Sequence, residues 1–229
     1  MAELAPWARD GNYHVRRLVS EGTRPRLPCA QNVGLSPEQT LPLLGFLHAD
    51  TARFVTRSVA NHLNDLSKIV PDQVLARLAR WQAEGRQTPK ELDWMSRHAL
   101  RTLVKQGHAG AMAALGYCAD AEVTARIALK ERQVPIGAAL LFDVILEAEQ
   151  DTSVLVDYRI GFARPSGKTA EKVFKLKIAE VCGGKSLKLS KSHKLKGGAS
   201  TFTLHSGAHS VTVQVNGRDV AHAAFDLTD

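Results

Sequence analysis

The sequence predicts a multidomain α and β chain: an α–α helical repeat over residues 1–119, then an immunoglobulin-like antiparallel β-sandwich over residues 120–229. Three observations carry this. Apolar residues recur at helical spacing from Leu35 to Gly107. Near residue 120 the apolar period changes to two. And 229 residues, 44% of them hydrophobic, can fill two cores of ordinary size.

The first helix opens on Ser36-Pro37-Glu38-Gln39, with a cap residue, proline at the first helical position and glutamine at the third. The second runs over about Thr51–Ile69 and buries Val55, Val59, Leu63 and Leu66. The third starts near Pro71, buries Val74, Leu78 and Trp81, and stops at Gly85. The fourth opens on the capping box Thr88-Pro89-Lys90-Glu91 and ends at Gly107. Short polar loops between them predict antiparallel neighbours.

Strand alternation follows in Val123, Ala125, Ile127 and Leu129. It recurs in Val154, Val156, Tyr158, Ile160 and Phe162, and in Phe174, Leu176 and Ile178. Val211, Val213 and Val215 lead into Asn216-Gly217, a two-residue hairpin signal. Seven or eight short strands in the last 110 residues or so predict a sandwich. The Cys…Trp…Cys pattern of antibody domains is absent, so the prediction is of architecture alone.

Composition narrows the function classes. No apolar run reaches the ~18 residues of a membrane span, so no membrane association is expected. The start MAELAPWARD lacks a basic region and an apolar core, so it does not read as a secretory signal. Cys29, Cys118 and Cys182 are odd in number and widely spaced, which speaks against a disulfide framework or a zinc site and for a reducing cytoplasm. No metal or other cofactor is expected. The net charge of +7 favours a polyanionic partner.

The polar helix faces give that charge a place. The second helix carries Arg53, Arg57, Asn61, Asn64 and Lys68 opposite its apolar stripe. The fourth carries Arg97, Arg101 and Lys105, spaced by four, with Trp94 and His98 beside them. Like charges at this spacing weaken a helix, so such a row either meets a polyanion or is a solvated face. The segment from Arg16 to Cys29 is denser, with Arg16, Arg17, Arg24 and Arg26 around one carboxylate, Glu21. It reads either as a stiff linker with Glu21 in an ion pair, or as a carboxylate held at a phosphate-binding surface.

That segment also carries a resemblance. His14-Val15-Arg16-Arg17-Leu18, then Ser20-Glu21-Gly22-Thr23-Arg24-Pro25-Arg26-Leu27-Pro28, resembles the DNA alkylation-repair glycosylases of the AlkC/AlkD type, and AlkC more than AlkD. The stretches Arg57–Lys68 and Arg97–Leu103 agree with the same family. The resemblance implies a HEAT-like repeat curved around double-stranded DNA that excises alkylated bases of the 3-methyladenine and 3-methylcytosine class. It implies a bacterial, cytoplasmic, nucleoid-associated protein, expected to be a monomer. Glu21 matches the family's carboxylate, which would stabilise the oxocarbenium-like charge developing at C1′ and orient water. Asp65 is the second candidate, and is equally read as a cap or an ion-pair partner of Lys68 or Arg57. Arg16, Arg17, Arg24, Arg26, Arg57, Asn61, Lys68, Arg97, His98, Arg101 and Lys105 are the expected DNA-binding residues of the repeat.

Two departures are expected to matter. The family carries tryptophan where this chain has Cys29, and a thiol supplies no aromatic face; Trp7 is an alternative, although a tryptophan before a helix ordinarily packs. The family is also longer at its N-terminus, so the chain is expected to be incomplete there. The alternative function is therefore a non-catalytic DNA-binding remnant, and a weaker one a protein-binding scaffold.

In the sandwich, ten Lys/Arg and two acids lie between Arg164 and Lys196. Lys175 and Lys177 are expected to share an exposed strand face. Lys188, Lys191, His193, Lys194 and Lys196 are expected to crowd a loop with Gly197-Gly198 that touches the DNA backbone; edge-strand protection is the other reading.

Overall fold

A computed structural model describes residues 3–27, 33–164, 167, 169–197 and 203–229. The chain divides into two compact units, Met1–Leu115 and Gly116–Asp229, against the expected boundary at 119/120.

In the first unit the described residues form α1 (Leu4–Trp7), α2 (Tyr13–Gly22), α3 (Pro37–Leu47), α4 (Arg53–Leu66), α5 (Pro71–Glu84), α6 (Pro89–Lys105) and α7 (Ala109–Ala114). The four expected helices are α3 to α6. The arginine-rich segment, read either as a linker or as a phosphate-binding surface, is helical in its first half: α2 carries Arg16, Arg17 and Glu21 and ends at Gly22. Asn12 caps it, its side chain accepting from His14 N at 2.9 Å. Only Val19 and Ser20 of α2 are buried, so its apolar period is too sparse to read.

The local signals explain the helix ends. Ser36 N donates to Gln39 Oε1 at 3.0 Å. Thr88 Oγ1 accepts from Glu91 N at 3.3 Å, but the Glu91 carboxylate does not complete the box. It accepts instead from Thr56 Oγ1 at 2.6 Å and from Arg53 at 2.8 Å, tying α6 to α4. Gly85 takes the left-handed conformation, φ +60°, that ends α5.

Alternate helices pack in parallel. From α2 to α4 the contacts advance in step: Tyr13 to Phe54, Ser20 to Ser58, Arg24 to Asp65. From α4 to α6 they run Thr56 to Glu91, Asn61 to His98 and Asn64 to Thr102. So α2, α4 and α6 form one layer, and their polar stripes lie side by side. Val55, Val59, Leu63, Trp81, Met95 and Leu100 are buried in this unit, with His48 stacked on Trp81 at 4.4 Å. Asn64, expected on the polar face, is buried and donates to Thr102 at 2.8 Å.

The second unit is a sandwich. One sheet is ordered β1 (Val123–Leu129), β3 (Ala139–Ala148), β6 (Ser186–Lys194). The other is ordered β2 (Gln133–Pro135), β8 (Arg218–Thr228), β7 (Gly207–Val215), β4 (Thr152–Ala163), β5 (Thr169–Val181). All pairings are antiparallel except β2 with β8. Phe142, Val144, Val156, Tyr158, Ile160, Val211, Val213 and Phe225 fill the core. Asn216 and Gly217, at φ +48° and +83°, make the predicted turn between β7 and β8. The Asn216 side chain also binds Leu155 N and Cys118 O, each at 2.8 Å.

Two strand expectations change. Opposite Val156 and Asp157 the pairing skips Leu176, and the bulge puts Ile178 beside Leu155, where it is exposed rather than in the core. Most of the lysine cluster is not in a loop: Lys188, Lys191, His193 and Lys194 lie on β6, an edge strand of its sheet, and Lys196 and Gly197 lie in the loop beyond it. Leu187, Leu189 and Leu195 set its inward period, which lysine and serine at the other positions disguise. Gly198 lies outside the described residues. Among the described residues no helix is long and apolar enough to cross a membrane.

Candidate carboxylate site and nucleic-acid interface

The α2–α4 seam brings together the two carboxylates singled out from sequence. Tyr13, Arg17 and Glu21 share one face of α2, and Phe54, Ser58 and Asp65 lie along α4 beside them. Arg24, just beyond α2, joins the two. Its Nη1 is 2.6 Å from Glu21 Oε1, while its Nε and Nη2 are 2.9 and 2.8 Å from Asp65 Oδ2. Arg17 reaches Glu21 Oε2 at 3.3 Å, Ser58 Oγ donates to that oxygen at 2.7 Å, and Lys68 holds Asp65 Oδ1 at 3.1 Å. Burial alone would raise the Glu21 pKa. The Ser58 hydroxyl and the Arg24 and Arg17 guanidiniums outweigh it and hold the carboxyl below its ordinary range. Glu21 is therefore ionised at neutral pH. Arg24 is likewise partly desolvated, but its two carboxylate partners raise its pKa.

Beneath this cluster lies His62. Its Nδ1 is 3.0 Å from Ser20 O, and its buried Nε2 has no hydrogen-bond partner among the described residues. Burial pushes its pKa down to about 4, so the ring is neutral. A depressed folded value means that the unfolded chain binds the proton first. The stabilisation is present above about pH 6.5 and is lost as pH falls towards about 4. His62 alone is worth about 3 kcal/mol over that interval. His62→Gln should flatten the pH dependence of the first unit's Tm there, and an unchanged slope would exclude His62 as its source.

On the neighbouring stripe, Asn61 Oδ1 is 2.8 Å from His98 Nε2 and accepts from Arg101 Nη2 at 3.2 Å. Arg101 also donates to His98 O. Burial, then the charges of Arg101, Arg57 and Arg53, depress His98 to about 4, so it acts at neutral pH through hydrogen bonds rather than charge. Arg97 pairs with Asp93 at 2.9 Å. Arg26, Arg57 and Lys105 are exposed, and Arg57 has no carboxylate partner among the described residues. Arg16 is not part of this surface. Its guanidinium binds Asp50 at 2.5 and 3.0 Å and the carbonyls of Asp10 and Gly11, which makes it a structural clamp. Cys29 lies outside the described residues. Among the described residues no group of three or more His, Cys, Asp or Glu is placed to hold a metal ion.

In the sandwich, Lys188 is 2.9 Å from Asp143, which Lys130 and Ser190 also hold. His193 turns inward, its Nδ1 2.8 Å from Tyr158 Oη, and burial followed by Lys191 and Lys172 depresses its pKa to about 4. Lys191 lies over the Tyr158 ring at 5.7 Å. Neutral His193 thus adds no charge to β6, whereas Lys194, like Lys175 and Lys177 on β5, is exposed.

Residues 123–229 match the family model described as the C-terminal Ig-like domain of the uncharacterised protein YhaZ. The uncharacterized protein YhaZ of Bacillus subtilis (strain 168) is 33% identical over 221 residues, which are 95% of this chain and 60% of that protein. The Pseudomonas fluorescens alkylpurine DNA glycosylase AlkC, solved bound to DNA containing an abasic site analog, is similar in structure with a TM-score of 0.90 at 35% identity. That match covers 100% of this chain and 64% of AlkC. The chain thus spans about three fifths of the length of these relatives.

Proposed function

We propose that the chain, whose helical repeat and C-terminal immunoglobulin-like domain are similar to those of AlkC, acts in DNA alkylation repair. In this reading it binds double-stranded DNA and excises alkylated bases of the 3-methyladenine and 3-methylcytosine class by hydrolysing the N-glycosidic bond. One observation carries it: two carboxylates, Glu21 and Asp65, bracket Arg24 on a cationic three-helix face.

A base alkylated on a ring nitrogen is cationic and departs readily. As the C1′–N bond lengthens, the electron pair leaves with the base and positive charge builds on the sugar. Ionised Glu21 stabilises that charge and aligns water, whose oxygen bonds to C1′ as its proton passes to bulk solvent. Arg17 and Arg24 keep Glu21 charged and fixed. Arg57, Arg101, Arg26 and Lys105 hold flanking phosphates without reading sequence. The exposed lysines of β5 and Lys194 are a second cationic surface for the same backbone.

The test is release of free 3-methyladenine from methylated duplex DNA, measured against buffer and against undamaged DNA. Arg57→Ala and Lys105→Ala should each weaken duplex affinity irrespective of sequence and reduce the slope of log K against log salt by about one. An unchanged slope would remove these residues from the interface. A non-catalytic DNA-binding protein is the second reading, favoured by Cys29 in place of the family's tryptophan. Salt-dependent binding without base release selects it.

A further inference from the structure

The carboxylate seam has an opposite end that the proposed chemistry does not use. There Tyr13, the first residue of α2, and Phe54, the second of α4, are 43% and 42% exposed. Their rings meet edge to face with centroids 5.9 Å apart, and His14 flanks both at 4.2 and 5.5 Å. The Arg17 guanidinium lies over Phe54 at 4.2 Å, the same guanidinium that reaches Glu21. The aromatic pair and the carboxylate pair are therefore two ends of one seam, joined through Arg17.

We infer that Tyr13 and Phe54 form a stacking step for a nucleobase of the bound DNA, next to the site of bond cleavage; the inference rests on the DNA-repair reading above. Three observations favour a base over another occupant. First, the rim is cationic: Arg17 lies over Phe54, Arg53 and Arg57 stand one and three residues from Phe54 on α4, and the adjacent acid, Glu91, is held by Arg53 at 2.8 Å. An acidic or neutral protein surface explains those charges less directly than a phosphate chain that brings its bases with it. Second, the rings are rigid. Each has two side-chain torsions, and Phe54 is already fixed by Arg17, so stacking orders little that was free. Third, the neighbouring aromatic, Trp94, is already occupied, with Arg53 over its ring at 3.8 Å and His98 stacked at 5.0 Å. Tyr13 and Phe54 are more exposed than Trp94, although Arg17 lies over one face of Phe54.

Stacking is tolerant of sequence and adds no charge, so it leaves a distinct signature. The probe is a duplex with a single 2-aminopurine opposite an abasic-site analogue, where the base is already poorly stacked. Wild-type protein should quench its fluorescence. Tyr13→Leu/Phe54→Leu keeps apolar bulk over Arg17 but offers no aromatic face. It should lose the quench and bind this duplex about ten- to a hundredfold more weakly, with Tm and salt slope unchanged. Phe54→Trp should retain the quench. Equal quenching and affinity in the double variant would overturn the stacking step alone and leave the DNA-repair reading standing. Wild-type protein that binds no DNA even at low salt would overturn both.

Discussion

Glu21→Gln is expected to slow release of 3-methyladenine from methylated duplex by about 10²–10³-fold in single turnover, with duplex affinity within a few-fold of wild type. The carboxamide preserves the size of the group and can still accept from Ser58, which now donates at 2.7 Å. What it lacks is the full negative charge that the proposed reaction sets against C1′ as it becomes cationic. The loss should therefore fall on the chemical step and not on binding. The pH profile sharpens the test. Because Ser58, Arg24 and Arg17 hold the Glu21 carboxyl below its ordinary range, the wild-type rate should stay level as pH falls through the usual glutamate region and drop only below it. A rate that halves near the ordinary glutamate value, or a Glu21→Gln protein as fast as wild type, would remove Glu21 from the chemistry.

Most of this site was visible in the sequence as residue types, and little of it as geometry. Glu21 and Asp65 both stood out, but 44 positions separate them along the chain. What joins them is the parallel packing of α2 on α4 and one bridging guanidinium. The helical period could not foretell this, because it marks the faces of each helix singly, whereas the polar stripes meet between alternate helices. The arginines looked equivalent from spacing. In the fold Arg16 is turned to Asp50 and Arg24 to the two carboxylates, whereas Arg57 remains exposed. A helix advances about 100° per residue, so Arg16 and Arg17 face different surroundings although they are neighbours in sequence. On β6 the error had another cause: Lys191 and His193 occupy inward positions of an edge strand, where long polar side chains can still reach water, so polarity hid the period of two. Tyr13 and Phe54 gave no signal, since each is a single aromatic in a different helix. Only their contact, and their shared arginine, sets them apart.

Arg24→Met separates scaffold from chemistry, and its expected effect on stability is the largest. Arg24 is mostly buried and is the only described cation that contacts both Glu21 and Asp65. Without it the two carboxylates face each other in a partly desolvated seam, each with a more exposed partner remaining, Arg17 and Lys68. Removing one member of such a network costs about 3–5 kcal/mol, which lowers Tm by roughly 10–20 °C for a unit of this size. The pH dependence should also change sign. In the wild type, Glu21 has a folded pKa below its unfolded value, so its contribution is present above about pH 4.5 and is lost as pH falls through the folded value. In the variant, burial and the facing carboxylate raise the folded value. The deficit should then shrink as pH is lowered from 8 towards 5, because protonation relieves the repulsion. Arg24→Lys should recover only part of the loss, since one ammonium cannot span both acids as the planar fork does. A variant with wild-type Tm at pH 8 would mean that the carboxylates do not depend on Arg24. Glu21→Gln and Arg24→Met thus predict different patterns: loss of chemistry with the smaller cost in stability in the first, where Arg24 keeps Asp65 as its partner, and a large loss of stability that acid eases in the second. Only a seam in which charge itself is the functional element produces both.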